Sequence, residues 1–308
     1  MILVLLLAVG LITTRIPREP LSPTAPGVPS TPGSTAISPA SPSPNPTDAG
    51  TAFLPPAVEV TAVPLTTQPA TPVPSAAATS QPLPTKEGWR LVFNESFNEP
   101  ALNTQVWSTR YPWGDTNPPE LERYVTGALA LEPGMLRLTA DRSTGGDLPY
   151  TSGMISSHDN FYFQYGYVEI RAKPPSGPGL WPALWLLTQN PKSASEIDIM
   201  EILGQEPNHV YLSTHFATAP GQKGVASADA YGPDFSKDFH TFAVEWDWNQ
   251  IIWFIDGKEA ARTSDHIPHE TMYLIANLAV GGTWPGPPNQ ATTFPAAFDI
   301  AYIRVFAR

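Results

Sequence analysis

The chain has 308 residues, a formal net charge of −11 and no cysteine, so disulfides and thiolate metal sites are excluded. Residues 1–86 hold three basic and three acidic groups, so the whole excess lies in 87–308, which carry 14 basic and 25 acidic residues and all nine tryptophans. An acidic, tryptophan-rich body excludes nucleic acid as a partner, since that needs basic surface; it suits a neutral polar ligand that stacks on indoles, with sugars the obvious class.

Residues 2–12 read I-L-V-L-L-L-A-V-G-L-I, an apolar run too short for a comfortable membrane span. Residues 1–14 are therefore expected to be a signal peptide or a membrane anchor, with the protein extracellular, secreted or tethered. No Lys or Arg precedes the run, and no A-x-A site follows it. Residues 15–86 are rich in Pro, Ser and Thr, and 18 of the 37 prolines fall within 1–86. Such a stretch cannot bury enough surface to offset its ordering entropy. It is expected to be a disordered, partly polyproline linker that holds residues 87–308 away from a membrane or wall.

From Glu87 onward short β-prone segments follow one another: Trp89–Phe97, Leu121–Thr126, Leu129–Leu131, Met135–Ala140, Gly153–Ser157 and Phe161–Lys173. Pro182–Leu187, Glu196–Leu203 and Val210–Phe216 come next. Thr241–Asp247 and Ile251–Asp256 form a hairpin, and Tyr273–Val280 and Phe298–Phe306 close the chain. No capped helical pattern appears. The fold class is all-β, an antiparallel β-sandwich of jelly-roll type.

The chemistry concentrates in Ser195–Gly204, S-E-I-D-I-M-E-I-L-G. Glu196, Asp198 and Glu201 alternate with Ile197, Ile199, Met200 and Ile202, which predicts a strand with one acidic and one apolar face. A regular strand returns to the same face every second residue, yet Glu201 is five after Glu196. One extra residue, most simply Met200, must be taken up by a β-bulge for all three acids to share a face. Two carboxyl groups at close range can hydrolyse a glycosidic bond, one as nucleophile and one as acid and then base, and Asp198 between them would keep their proton affinities apart. Clustered carboxylates also bind calcium, but usually from loops rather than a strand with an Ile-rich reverse.

The stretch resembles the E-x-D-x-x-E signature of glycoside hydrolase family 16, in its laminarinase-like branch. The likeness continues in order through Y-T-S-G-M-I-S-S (150–157), F-Q-Y-G-Y-V-E-I-R-A-K-P-P (163–175), G-L-W-P-A-L-W-L-L (179–187), F-H-T-F-A-V-E-W (239–246), I-W-F-I-D-G (252–257), L-I-A-N-L-A-V-G-G-T-W-P-G (274–286) and A-Y-I-R-V-F (301–306). The resemblance implies a jelly roll with a long concave cleft, endo-cleavage of β-1,3 linkages with retention, Glu196 as nucleophile, Glu201 as acid/base and Asp198 as the assisting carboxylate. Mixed-linkage and xyloglucan branches usually carry E-x-D-x-E, so the inserted Met200 points to β-1,3-glucan.

Trp181 and Trp185 are four apart and share a strand face, which the resemblance places in the cleft; the competing reading is core filler. Trp113 and Trp284, in Gly/Pro-rich loops, are further candidates for the cleft, whereas Trp253 in the hairpin is expected in the core. His215, in Y-L-S-T-H-F, is either a structural histidine or, as the resemblance suggests, a neighbour of the catalytic carboxylates. Glu120, in P-P-E-L-E-R-Y, is similar to the glutamate of the family motif N-E-x-Q-Y, and Asn277 is left open. Pro119 replaces the motif's asparagine, and Met154 stands where many relatives have arginine; each removes a sugar contact. Ser195 replaces the usual glycine. Many relatives hold a structural calcium, whose matching positions would be Glu95, Gly134 and Asp299; no cofactor is required for catalysis.

The expected function is an endo-β-1,3-glucanase, monomeric, with a polysaccharide substrate. The alternatives are a retaining hydrolase or transglycosylase on mixed-linkage glucan or a β-galactan of the agarose or carrageenan type, and a non-catalytic glucan-binding protein. Binding proteins of that kind lose the two glutamates, and this chain keeps both.

Overall fold

The structure, a computed structural model, describes residues 86–219 and 222–308. The expected signal or anchor, and all but the last residue of the expected linker, lie outside the described residues. Strands follow one another from the start: β1 (Arg90–Glu95), β2 (Glu122–Tyr124), β3 (Leu129–Glu132), β4 (Met135–Arg142), β5 (Tyr150–Ser152), β6 (Met154–Ser156), β7 (Tyr162–Phe163), β8 (Gly166–Lys173) and β9 (Leu180–Thr188). They continue with β10 (Glu196–Glu201), β11 (His209–Ala219), β12 (Gln222–Tyr231), β13 (His240–Trp246), β14 (Ile251–Ile255), β15 (Lys258–Thr263), β16 (Met272–Val280) and β17 (Ala296–Ala307). Among the described residues the single helical element is a short 3-10 turn, Thr126–Ala128.

Two sheets form. One runs β15-β14-β13-β8-β17-β4-β5-β2, with β1 added on β17 and β3 on β4. The other runs β12-β11-β10-β9-β16-β6, with β7 added on β16. The pairings are antiparallel, as expected, except β2 with β5, which run parallel. Alternation along each strand sends one set of side chains between the sheets. Leu136, Leu138, Ile170, Phe242 and Phe298 from the first sheet meet Leu184, Leu186, Ile197, Leu212 and Leu274 from the second in one core.

The predicted single strand Phe161–Lys173 is two strands in different sheets. β7 pairs with β16, while β8 pairs with β13 and β17. The chain changes sheets at Tyr165 and Gly166, whose φ angles are 61° and 153°. At Gly166 the carbonyl oxygen of Phe306 lies 2.7 Å from where a Cβ would sit, so only glycine fits. Alternation on both sides of the break hid it, because period 2 resumes within two residues.

Three strands, β5, β12 and β15, fall outside the expected segments. β12 is Q-K-G-V-A-S-A-D-A-Y, whose inward positions are Gly224, Ala226, Ala228 and Ala230. Small residues carry little β-propensity; the strand exists because its neighbour β11 offers a long partner, from His209↔Tyr231 to Ala219↔Gln222. β15 completes the hairpin begun at Asp256-Gly257.

Candidate active site

β10 lies in the middle of the smaller sheet, between β9 and β11. Asp198 is opposite Trp185 on one side and Ser213 on the other, Glu196 is opposite His215, and Glu201 is opposite Ala183 and Tyr211. The register slips between Asp198 and Glu201, so the expected bulge is present. Against β9, however, the unpaired residue is Ile199, because Met200 takes Leu184 as its partner. Ile199 and Met200 are both fully buried, so two successive side chains enter the core and Glu201 is thereby returned to the face of Glu196 and Asp198. The surplus is thus shared by Ile199 and Met200 rather than held by Met200 alone.

The bulge is anchored from beneath. Trp253 Nε1 crosses from the larger sheet and donates to the Asp198 carbonyl at 2.8 Å, with Trp253 only 3% exposed. Trp253 is therefore a core residue, as expected, but it also ties down the irregular strand. Thr214 Oγ1 donates to the Glu196 carbonyl at 3.1 Å.

On the open face, Ser213 Oγ donates to Asp198 Oδ2. His215 Nε2 lies 3.1 Å from the same oxygen and 3.5 Å from Glu196 Oε1. His215 thus sits beside the carboxylates and links two of them. Trp181 Nε1 donates to Glu201 Oε1 at 3.1 Å. Burial, then the charge of Asp198, raises Glu196 from 4.5 to about 7, against the opposing pull of His215 and Lys223. Burial, then Asp198 and Glu196, pushes Glu201 well above the usual carboxylate range, and the Trp181 N–H only partly counters this. His215 is lowered by burial, but the bond to Asp198 and the charges of Glu196 and Asp198 outweigh that and raise it. The arrangement holds two carboxyl groups on one wall, each raised by burial and by neighbouring charge but met by different partners, His215 beside Glu196 and the Trp181 N–H on Glu201, as paired acid and base work requires. Glu196, Asp198 and His215 could also gather round a cation, their ligand atoms all lying within 4.8 Å of one another.

The three carboxylates open into a cavity of about 390 Å³ that Trp113, Trp181, Trp185 and Glu120 also line; His215, beside the carboxylates, is not part of that lining. Trp185 Nε1 donates to Asn277 Oδ1 at 2.8 Å, which places the open candidate Asn277 in the wall. Trp113, 52% exposed, lies flat on Tyr111 with ring centres 4.6 Å apart. Trp284 is not part of this lining; it stands edge-on to Trp181 at 5.3 Å and to Tyr211 at 4.7 Å. Met154 is fully buried, packed among Tyr111, Tyr124, Tyr273 and Ile275.

The sequence profile of Glycosyl hydrolases family 16 matches residues 123–302. The chain belongs to this family. It is 33% identical to Glucan endo-1,3-beta-glucosidase A1 of Niallia circulans over 72% of this chain and 38% of that protein. It is 32% identical to Endo-1,3-1,4-beta-glycanase EglC of Rhizobium meliloti (strain 1021) over 70% of this chain and 51% of that one, so it spans about half or less of these relatives. Among solved structures, the laminarinase catalytic domain from Thermotoga maritima MSB8 is similar at 33% identity and a TM-score of 0.64, covering 71% of this chain and 98% of that one.

Within this family 16 member, some of the lining escaped the reading of the sequence. Lys223 reaches the cavity from β12, and its strand was not recognised. Tyr111, His158 and Tyr273 line it as well, but no local pattern sets them apart from core aromatics.

The calcium expectation meets an obstacle at Asp299. Its carboxylate is held by Arg137, Nε to Oδ1 at 2.7 Å and Nη2 to Oδ2 at 3.2 Å, and by Lys173 at 3.3 Å. Both oxygens are engaged by fixed positive charges, which would repel a further cation. The expected contributions of Glu95 and Gly134 are backbone carbonyls, so the bonds of the Glu95 side chain to the Phe97 N–H and the Trp107 indole leave that part of the expectation untouched. Gly134 forms the turn between β3 and β4 with φ 75°. The residues present do not fit a calcium ligated through Asp299.

Proposed function

We propose that this protein is a retaining endo-glycosidase that cleaves internal β-1,3 linkages of a laminarin-like glucan. The observation that carries the reading is the pairing of Glu196 and Glu201, both raised by burial and by the charge of Asp198, on one wall of an aromatic cavity. Ionised Glu196 attacks the anomeric carbon while protonated Glu201 gives its proton to the departing glycosidic oxygen. The bond to that oxygen breaks and a glycosyl ester forms on Glu196. Glu201, now a carboxylate, takes a proton from water; the hydroxide attacks the same carbon, Glu196 leaves, and both groups return to their starting states. Asp198 and His215 steady the Glu196 side of the site, and the indole N–H of Trp181 orients Glu201.

Sugar rings would stack on Trp113 and on the faces of Trp181 and Trp185 that open to the cavity. The names of the Niallia circulans and Thermotoga maritima relatives support a β-1,3-glucan substrate. The name of the Rhizobium meliloti relative favours mixed-linkage glucan as the second reading. The apolar run at residues 2–12 and the Pro-rich stretch after it support export, with release and membrane tethering both compatible.

The test is to incubate the chain with laminarin, lichenan, agarose and carrageenan and analyse the products. Oligosaccharides from laminarin are expected; release from a galactan alone would overturn the substrate assignment. Glu196→Ala should be inactive yet yield an α-glycosyl azide when azide is supplied, and full activity in that variant would end the mechanism.

A further inference from the structure

Glu122 lies beneath the cleft wall with no surface exposed. Its Oε2 accepts the Val280 N–H at 2.8 Å, while its Oε1 has no hydrogen-bond partner among the described residues. The carboxyl it faces at hydrogen-bonding range is that of Glu120, which lines the cleft. Glu120 accepts from Asn117 Nδ2 at 2.8 Å and from the Tyr124 hydroxyl at 3.4 Å. Tyr124 in turn accepts from Asn277 Nδ2 at 3.1 Å, and Asn277 accepts the Trp185 indole N–H at 2.8 Å. One chain of bonds thus joins Glu120 to a tryptophan of the cavity, and Glu122 stands at its inner end.

Donor accounting leaves one gap. Two carboxylates side by side, Glu122 fully buried and Glu120 half-buried at the cleft wall, with one oxygen unpaired, would be costly twice over, by like charge and by an unmet acceptor. Among the described residues no cation pairs with them: Arg123, the nearest basic residue in sequence, turns outward to Asp115 at 2.6 Å and Asp147 at 2.9 Å. A single proton on Glu122 Oε1 removes both costs, since it cancels one charge and supplies the donor that Glu120 lacks.

We propose that Glu122 is a neutral carboxylic acid whose hydroxyl donates to the Glu120 carboxylate, and that it acts as a positioning residue for the Glu120–Tyr124–Asn277–Trp185 relay against bound sugar. The titratable groups around it are Glu120 and Tyr124 from its own segment and Tyr111 from the preceding loop. β16 presents the Val280 N–H and Asn277, and β5 places Tyr150 alongside. The electrostatics agree. Burial, then Glu120, holds Glu122 well above the carboxylate range, while Glu120 is raised by burial and eased by its bonds to Glu122, Asn117 and Tyr124. At alkaline pH the shared proton is lost, the pair repels, and the relay loosens.

The substrate part of the inference rests on the proposed glucan reading; the proton itself does not. The infrared difference spectrum of wild type minus Glu122→Gln, taken on the full chain at neutral pH, should contain one protonated-carboxyl C=O band, over and above the bands of Glu196 and Glu201 that both chains share and that therefore cancel. If no such band remains in the difference, the proposal is overturned whatever the substrate. On the glucan that the chain cleaves, Glu122→Leu should raise KM about tenfold with kcat within about twofold, as one lost charge-assisted hydrogen bond implies. The wild type should show a rise in KM at alkaline pH, and Glu122→Gln, which keeps an N–H donor toward Glu120, should rescue KM and abolish that rise. An unchanged KM in Glu122→Leu, or the same alkaline rise in Glu122→Gln, would refute the positioning role.

Discussion

Replacing Glu196 by glutamine should stabilise the folded chain at alkaline pH while removing its chemistry. The Glu196 side chain is 20% exposed, so solvent screens it little. A carboxyl that would titrate at 4.5 in the open is held at about 7, which makes its ionised form cost about 3 kcal/mol in the folded state. The favourable pull of His215 and Lys223 is already contained in that value. The sign follows from proton linkage. The folded state binds the proton more tightly than the unfolded state, so this stability is intact below 4.5, declines as pH rises to about 7 and is absent above. Glutamine carries no charge at any pH and keeps nearly the same shape. Glu196→Gln should therefore match the wild type near pH 4 and exceed it by about 3 kcal/mol near pH 8.5, equivalent to a rise in Tm of roughly 6–12 °C for a domain of this size. Urea unfolding of both chains at the two pH values measures it. An equal difference at both pH values, or a loss of stability at the alkaline one, would refute the claim that Glu196 is a strained, raised carboxyl.

The rate should show the same groups. kcat/KM should climb as pH passes about 7, where the Glu196 cluster ionises, and fall at higher pH as Glu201 deprotonates; Trp181→Phe, by removing the N–H that lowers Glu201, should move the falling limb upward, and an unmoved limb would contradict that role. Trp253→Phe leaves the Asp198 carbonyl buried without its donor, so urea unfolding should register a loss of about 1–3 kcal/mol together with a lower kcat, and an unchanged kcat would show that the bulge needs no anchor. A chelator should leave Tm unchanged, whereas Asp299→Asn, which breaks the pairs with Arg137 and Lys173, should lower stability by roughly 1–3 kcal/mol; the reverse pattern would restore calcium to that position.

Much of the site was legible because its signals are local. Three acids spaced i, i+2 and i+5 on an apolar-backed strand imply a bulge, and the bulge is there. Trp181 and Trp185, four apart, share a face and reach the cavity together. The irregularity itself was placed one residue off: the strand pairing leaves Ile199 unmatched against β9, which depends on where Trp185 and Leu184 fall on another strand. Trp284, read as a cleft residue from its Gly/Pro-rich loop, stands exposed and edge-on to Trp181, next to the cavity but outside its lining, a placement that depends on the packing of the loop and not on its composition.

From the sequence alone come the alternation that makes this chain a β-sandwich, the acidic strand at its centre and the onset of dense strands just after residue 86. Each is a short-range pattern, carried by residues a few positions apart. Tertiary structure alone decided the change of sheet at Gly166, where Phe306 leaves no room for a Cβ, and the existence of β12, whose small residues pair only because β11 is beside them. It also decided how charges are met: Arg137 and Asp299, 162 positions apart, close on each other where calcium was expected, and the fully buried Glu122 comes to lie beside Glu120 of the cleft wall. Proton affinity and ion pairing depend on what approaches through space, and only the folded chain specifies that.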